Sequence, residues 1–214
     1  CEKPLATTPE DCLAIIERET AIGRRLIQVG FMRRFDPGYM ATRNALASGE
    51  FGAALIFHCI HRNATAASYT TSEALIANTA VHEIDIARWL LDSEVSRVSV
   101  ISPRRSSLTE INDPQILILE MANGVVVDVE VFVNCQYGYD VRGELVCEKG
   151  TLSFNPPVHL HTRQARRDGF AHPDDWRPRF AEAYRIELQN WIESIEGGAP
   201  VGARAWDGYA ATAI

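Results

Sequence analysis

The sequence has no apolar stretch near the roughly 18 residues that span a bilayer, and no signal-peptide pattern. It has no run of Lys or Arg longer than two, and its formal charge is -7. Nucleic acids and anionic membranes are gripped by clustered cations, so neither is an expected partner. There is no CxxC pair. The five cysteines (Cys1, Cys12, Cys59, Cys135, Cys147) are scattered, which excludes a disulfide framework or zinc knuckle and fits reduced thiols in the cytoplasm. No G-x-S-x-G elbow, P-loop or G-x-G-x-x-G is present, and His82-Glu83 lacks the second His of a zincin helix. The pair in Val158-His159-Leu160-His161 has no third ligand at zinc spacing, so no metal is expected.

What is present reads as a globular protein. Of the 214 residues, 46% are hydrophobic, enough for a sizeable core, and 23% are charged, which argues against disorder. Both ends read as interrupted. Cys1-Glu2-Lys3-Pro4 looks like the tail of a strand entering a loop, and the chain stops at Ile214 within a helical pattern without a cap. We therefore expect more protein before Cys1.

Thr8-Pro9-Glu10-Asp11 is a helix start, with a Thr N-cap, Pro at the first position and acids in the first turn. A short buried strand is expected over residues 26–31, and a second helix from Pro37 to Gly49. Strands are expected over 55–62, 98–101, 116–121 and 125–134, the last two joined by a two-residue Asn123-Gly124 turn, then over 144–147 and 151–154. Helical patterns cover 72–91 and 178–195, and 155–176 reads as a long loop. Strands in succession with helices before and after predict an α+β fold: a mostly antiparallel open sheet with helices on one face. By alternation Val125, Val127, Val129, Val131 and Val133 share one face, with Asp128 and Glu130 on the other.

The helix around His82 is apolar on nearly every side, so its polar groups need an explanation. Asn78 and His82 are four apart and share a face on a regular helix, and Asp85 follows three residues on. An imidazole held there suits a general base. The same residues also fit a core histidine bonded to a backbone carbonyl, with Asp85 paired to Arg88. On the strand before it, Leu55, Phe57, Cys59, His61 and Asn63 share a face that turns polar at its end, where His61 and Asn63 can meet a hydroxyl-rich ligand or simply solvent. Lys3, biased to an extended backbone by Pro4, can favour an alkoxide electrostatically, or be an ordinary surface lysine.

Together, Cys1-Glu2-Lys3-Pro4-Leu5, residues 30–37, His61-Arg62-Asn63, residues 78–85 and Tyr137-Gly138-Tyr139-Asp140 resemble the Gfo/Idh/MocA oxidoreductases, over essentially the whole chain. His-Arg-Asn and Val-His-Glu-Ile-Asp point to the inositol dehydrogenase branch. The resemblance implies a two-domain enzyme whose N-terminal Rossmann domain precedes Cys1, leaving residues 1–214 as the substrate-binding, catalytic and oligomerisation domain, inactive alone. It implies oxidation of a secondary hydroxyl of a cyclic polyol, myo-inositol to 2-keto-inositol, with NAD or alternatively NADP. A related sugar or aminosugar dehydrogenase, or a non-catalytic polyol-binding and assembly module, is the alternative. By motif Lys3, Asn78 and His82 are catalytic, and Arg33, His61, Asn63 and Tyr137 or Tyr139 bind substrate. Lys3 and Met32 meet the cofactor, and Tyr184 is a weaker candidate. A homo-oligomer, dimer or tetramer, is implied through the open sheet face. One departure is Asn78, where inositol dehydrogenases carry Asp: an amide holds no negative charge, which puts the inositol assignment in question.

Overall fold

Alternation along the strand Val126–Phe132 sets the layering of the molecule. Val127, Val129 and Val131 are at most 1% exposed, while Asp128 and Glu130 point the other way. Each such valine contributes about 1.5–3 kcal/mol by leaving water. The structure is a computed structural model that describes residues 1–155, 161–198 and 200–214.

The strands are β1 (Ala54–Arg62), β2 (Val95–Ile101), β3 (Gln115–Met121), β4 (Val126–Phe132), β5 (Asp140–Cys147) and β6 (Gly150–Phe154). They form one sheet in the order β2-β3-β4-β1-β5-β6, in which only the β1–β4 pairing is parallel. The inner face carries Phe57, Cys59, Leu117, Leu119, Val141 and Leu145, all buried. The helices are α1 (Pro9–Ile22), α2 (Pro37–Ala47), α3 (the single turn Ser72–Ala74), α4 (Val81–Leu91), α5 (Trp176–Gly197) and α6 (Ala205–Ala213). Among them α1 and α4 pack on α6, and α4 lies against β1. This is the α+β fold with a mostly antiparallel sheet that the pattern predicts. Among the described residues, no helix is long and apolar enough to cross a membrane.

Local signals act where expected. The Thr8 hydroxyl accepts from the Asp11 N–H at the start of α1, and Asp36 caps α2 through the N–H groups of Gly38 and Tyr39. α5 closes on Gly198 at φ 68°.

Four expectations need correction. Residues 26–31 do not form a strand. Only isolated bridges occur there, Glu2 with Gly30 and Val29 with Ala203, and the Arg25 guanidinium takes the carbonyls of Pro200 to Ala203 instead. Leu55 does not join the inward face of β1: it is 47% exposed, because the register shifts between Ala54 and Ile56. The β3–β4 turn includes Ala122 as well as Asn123 and Gly124, since the Met121 N–H bonds to the Val125 carbonyl, with Gly124 at φ 89°. In the expected loop, Thr162–Gln164 (β7) and Arg167–Gly169 (β8) pair as a hairpin. Its turn residues Ala165 and Arg166 are both left-handed, so it lacks the Asn-Gly signature that would announce it. The expected His159 of the imidazole pair lies outside the described residues. His161 instead meets Asp168 at 2.9 Å.

The expected helix over 72–91 is continuous in direction but not in type. Between α3 and α4, residues Leu75–Ala80 wind as a π-helix. Such segments are rare and cluster at functional sites.

Candidate active site

Three segments converge at the end of β1. A 3-10 turn, Met32–Phe35, follows Phe31 and carries Arg33, while α4 carries His82 and Glu83 and the β1 terminus carries His61. Arg33 is 1% exposed, Glu83 1%, His61 3% and His82 8%. Four ionisable side chains are therefore removed from water together, which is costly unless they are paired.

They are paired. The Arg33 guanidinium forms a short ion pair with the Glu83 carboxylate, and its other terminal nitrogen lies 3.0 Å from His61 Nδ1. That same Nδ1 is 3.0 and 3.1 Å from the two oxygens of Glu83. Burial would raise the Glu83 carboxyl, but the Arg33 charge and His61 outweigh it and hold it at about 2. Burial lowers His61, with Glu83 opposing and Arg33 assisting.

His82 sits beside this cluster, its ring centre 6.4 Å from that of His61 and 6.3 Å, edge-on, from that of Phe31. Its Nδ1 is buried and finds no hydrogen-bond partner among the described residues. Burial, then the charges of Arg33 and Lys3, push His82 well below the ordinary imidazole range. The ring is neutral at neutral pH and can accept a proton. It is not the carbonyl-bonded core histidine, and Asp85 is not paired to Arg88. Asp85 takes a bidentate pair from Arg34 at 2.6 and 3.0 Å, while Arg88 reaches Glu94 and Asp207.

Lys3 enters from the N-terminal loop, and its Nζ donates to the backbone carbonyl of Asn78 at 2.6 Å. Burial lowers its pKa first and Arg33 lowers it further, against Glu2 and Glu83. Asn78 lies in the π-helical segment with its side chain exposed, so it does not share the buried position of His82. A π turn widens the helix, which breaks the four-residue spacing rule.

Among the other predicted residues, Tyr139 is buried, with its ring 5.8 Å edge-on to His61 and 6.3 Å from Phe180. Asn63 follows β1, and its Oδ1 is buried without a hydrogen-bond partner among the described residues. Met32 is buried next to Arg33. Tyr137 is not brought to this cluster. Its hydroxyl donates to Asp140 at 2.6 Å and accepts from Arg62, in a separate cavity lined by Phe170 and His172. Tyr184 lies against Trp176, the rings tilted at 50° with centres 5.4 Å apart, and is pushed up to about 12 by burial and Glu2. Sequence reasoning missed Glu83. A glutamate inside an otherwise apolar helix was the signal that could have found it. Among the described residues, no group of three or more His, Cys, Asp or Glu side chains could hold a metal ion.

A neutral imidazole, an ammonium and a charge-balanced donor–acceptor cluster at one edge suit proton abstraction from a hydroxyl, with polar groups to orient its neighbours. The chain is 52% identical over 216 residues to inositol 2-dehydrogenase 1 of Saccharopolyspora erythraea, covering 100% of this chain and 64% of that protein. It is 45% identical over 213 residues to inositol 2-dehydrogenase of Burkholderia cenocepacia, covering 99% and 63%. Among solved structures, myo-inositol dehydrogenase from Lactobacillus casei in complex with NAD(H) and myo-inositol superposes with a TM-score of 0.95 at 38% identity, covering 99% of this chain and 64% of that one. The chain thus spans less than two thirds of the length of these relatives. The GFO/IDH/MocA C-terminal domain matches residues 39–153, more than half of the sequence, and the chain belongs to the GFO/IDH/MocA family.

Proposed function

We propose that this chain is the substrate-binding and catalytic part of an NAD-linked dehydrogenase that oxidises a secondary hydroxyl of a cyclic polyol, myo-inositol to 2-keto-inositol. The observation that carries the reading is the neutral, buried His82 flanked by the Lys3 ammonium and the Arg33–Glu83–His61 cluster. The identity to inositol 2-dehydrogenases over the whole chain supports it.

In this reading His82 takes the hydroxyl proton, and the Lys3 ammonium stabilises the oxygen as it becomes negative. His61, Asn63 and Tyr139 meet the remaining ring hydroxyls. Asn63 Oδ1, buried and unpartnered among the described residues, is an acceptor suited to a hydroxyl donor. Arg33, enclosed by Glu83 and His61, acts by holding those two. The residues present fit the reactive end of a nicotinamide dinucleotide: Lys3 offers an ammonium at the rim of the cluster and Met32 an apolar neighbour, and these would hold it. When bound, NAD supplies the hydride acceptor for the carbon being oxidised. The open face of the sheet, with Ile56 and Val126 adjacent and exposed, serves self-association.

The test is turnover by the full-length protein that contains this chain, with NAD and a panel of inositols and sugars. Activity on myo-inositol that is lost in His82→Ala supports the reading. Near-normal rates in that variant reject the assigned base.

A further inference from the structure

Glu83 adjoins His82 in sequence, about 100° round the same helix, and none of the roles above falls to it. Its carboxylate is nonetheless the hub of the buried cluster, holding Arg33 and facing His61 Nδ1 with both oxygens. We propose that Glu83 is a positioning residue: it fixes His61 as the tautomer protonated on Nδ1, so that Nε2 presents its lone pair to a substrate hydroxyl. The inference rests on the polyol reading for its consequence, but its core claim concerns only this cluster.

The argument is one of donors and acceptors. His61 Nδ1 lies within hydrogen-bond distance of two groups of opposite need, the Arg33 terminal nitrogen at 3.0 Å, which can only donate, and the Glu83 carboxylate, which can only accept. A single ring nitrogen cannot serve both. Two carboxylate oxygens face it against one guanidinium nitrogen. An ionised carboxylate set against a bare lone pair in a dry site would forfeit a charge-assisted bond. The proton therefore sits on Nδ1, and Nε2 becomes the acceptor. This is the familiar logic by which a second group sets which imidazole nitrogen does chemistry. Glu83 bears on Lys3 as well: after Glu2, its negative charge opposes the lowering of the ammonium by burial and Arg33.

Replacing the carboxylate by an amide reverses the pattern. In Glu83→Gln the amide oxygen goes to Arg33, the stronger donor, and its NH2 turns toward His61 Nδ1. The ring then takes its proton on Nε2 and loses the acceptor.

The experiment uses the full-length protein labelled with 15N-histidine, in which the ring nitrogen shifts report the His61 tautomer. The wild type should show neutral His61 protonated on Nδ1. Glu83→Gln should show it protonated on Nε2, and Glu83→Asp should restore the wild-type pattern. In kinetics, Glu83→Gln should raise the KM for the polyol about tenfold, with a smaller change in kcat, and move the alkaline limb of the pH profile to lower pH as Lys3 loses one of its two neighbouring anions, Glu2 remaining. A wild-type His61 protonated on Nε2 overturns the proposal. So does a Glu83→Gln variant that loses only thermal stability, with tautomer, KM and alkaline limb unchanged. If the wild type oxidises no polyol, the functional reading fails, and the tautomer measurement still decides this inference.

Discussion

Lys3 reaches Asn78 through the backbone: its ammonium donates to the Asn78 carbonyl at 2.6 Å, while the Asn78 side chain is exposed. The lysine is thus held by an atom that every residue type supplies. An amide or a carboxylate at position 78 leaves that contact intact and changes only the charge near Lys3 and His82.

Asn78→Asp should therefore leave Lys3 in place and move His82. A carboxylate nearby favours the imidazolium, so the His82 pKa rises from its depressed position. The acid limb of kcat should shift to higher pH, and the alkaline limb, which reports Lys3, should shift to higher pH as well, because the new charge sits on the residue whose carbonyl holds the ammonium. A pH–rate series on both proteins checks this.

In the wild type, burial and the charges of Arg33 and Lys3 keep His82 neutral to well below its ordinary range. Activity should stay on its plateau on the acid side past pH 6.5, and on the alkaline side begin to fall before 10.5, because Lys3 is also lowered. His82→Ala should reduce kcat by roughly 10²–10⁴-fold. Steady-state kinetics with saturating polyol and cofactor measure both.

Asp85 supports the fold rather than the base. It is 1% exposed and accepts two bonds from Arg34. Asp85→Asn should cost about 3 kcal/mol, the lower end for breaking a buried pair, since Arg34 keeps Asp207. Urea unfolding should show the loss, and the acid limb of the pH profile should not move.

Glu187 on α5 is 3% exposed, and burial with the neighbouring Glu2 pushes its carboxyl up to about 8. The folded state then holds a proton that the unfolded chain releases near pH 4.3. Its contribution is complete below that value and is lost as pH rises toward 8. Glu187→Gln should remove this loss, raising Tm at pH 8 by roughly 2–6 °C relative to wild type, with a smaller effect at pH 5. Thermal melts at the two pH values decide it.

The open sheet face sets Ile56 beside Val126. If that face joins copies of the chain, Val126→Glu should lower the assembly mass, because it places a third carboxylate next to Asp128 and Glu130 at a desolvated contact. Light scattering of the two proteins at equal concentration tests this.

Much of the fold follows from short-range pattern. Alternation along β4, the caps at Thr8 and Asp36, and the closing Gly198 are local physics, and each is legible one segment at a time. The hairpin at Ala165-Arg166 was not legible, because left-handed residues other than Gly or Asn carry no sequence signal. The exposed Leu55 was hidden for a similar reason: alternation predicts a face but not a bulge.

For the site, the sequence by itself determined the chemistry on offer: a histidine in an apolar helix, a His-x-Asn strand end, and a lysine fixed before proline. Only the tertiary structure decided the partners. It gave Asp85 to Arg34, separated Tyr137 from Tyr139, exposed Asn78 through a π turn, and made Glu83 the anion shared by Arg33 and His61. Burial drives an ionisable group to find a counterpart or give up its charge, and which counterpart is near depends on how separate segments cross, a property no single stretch of sequence contains.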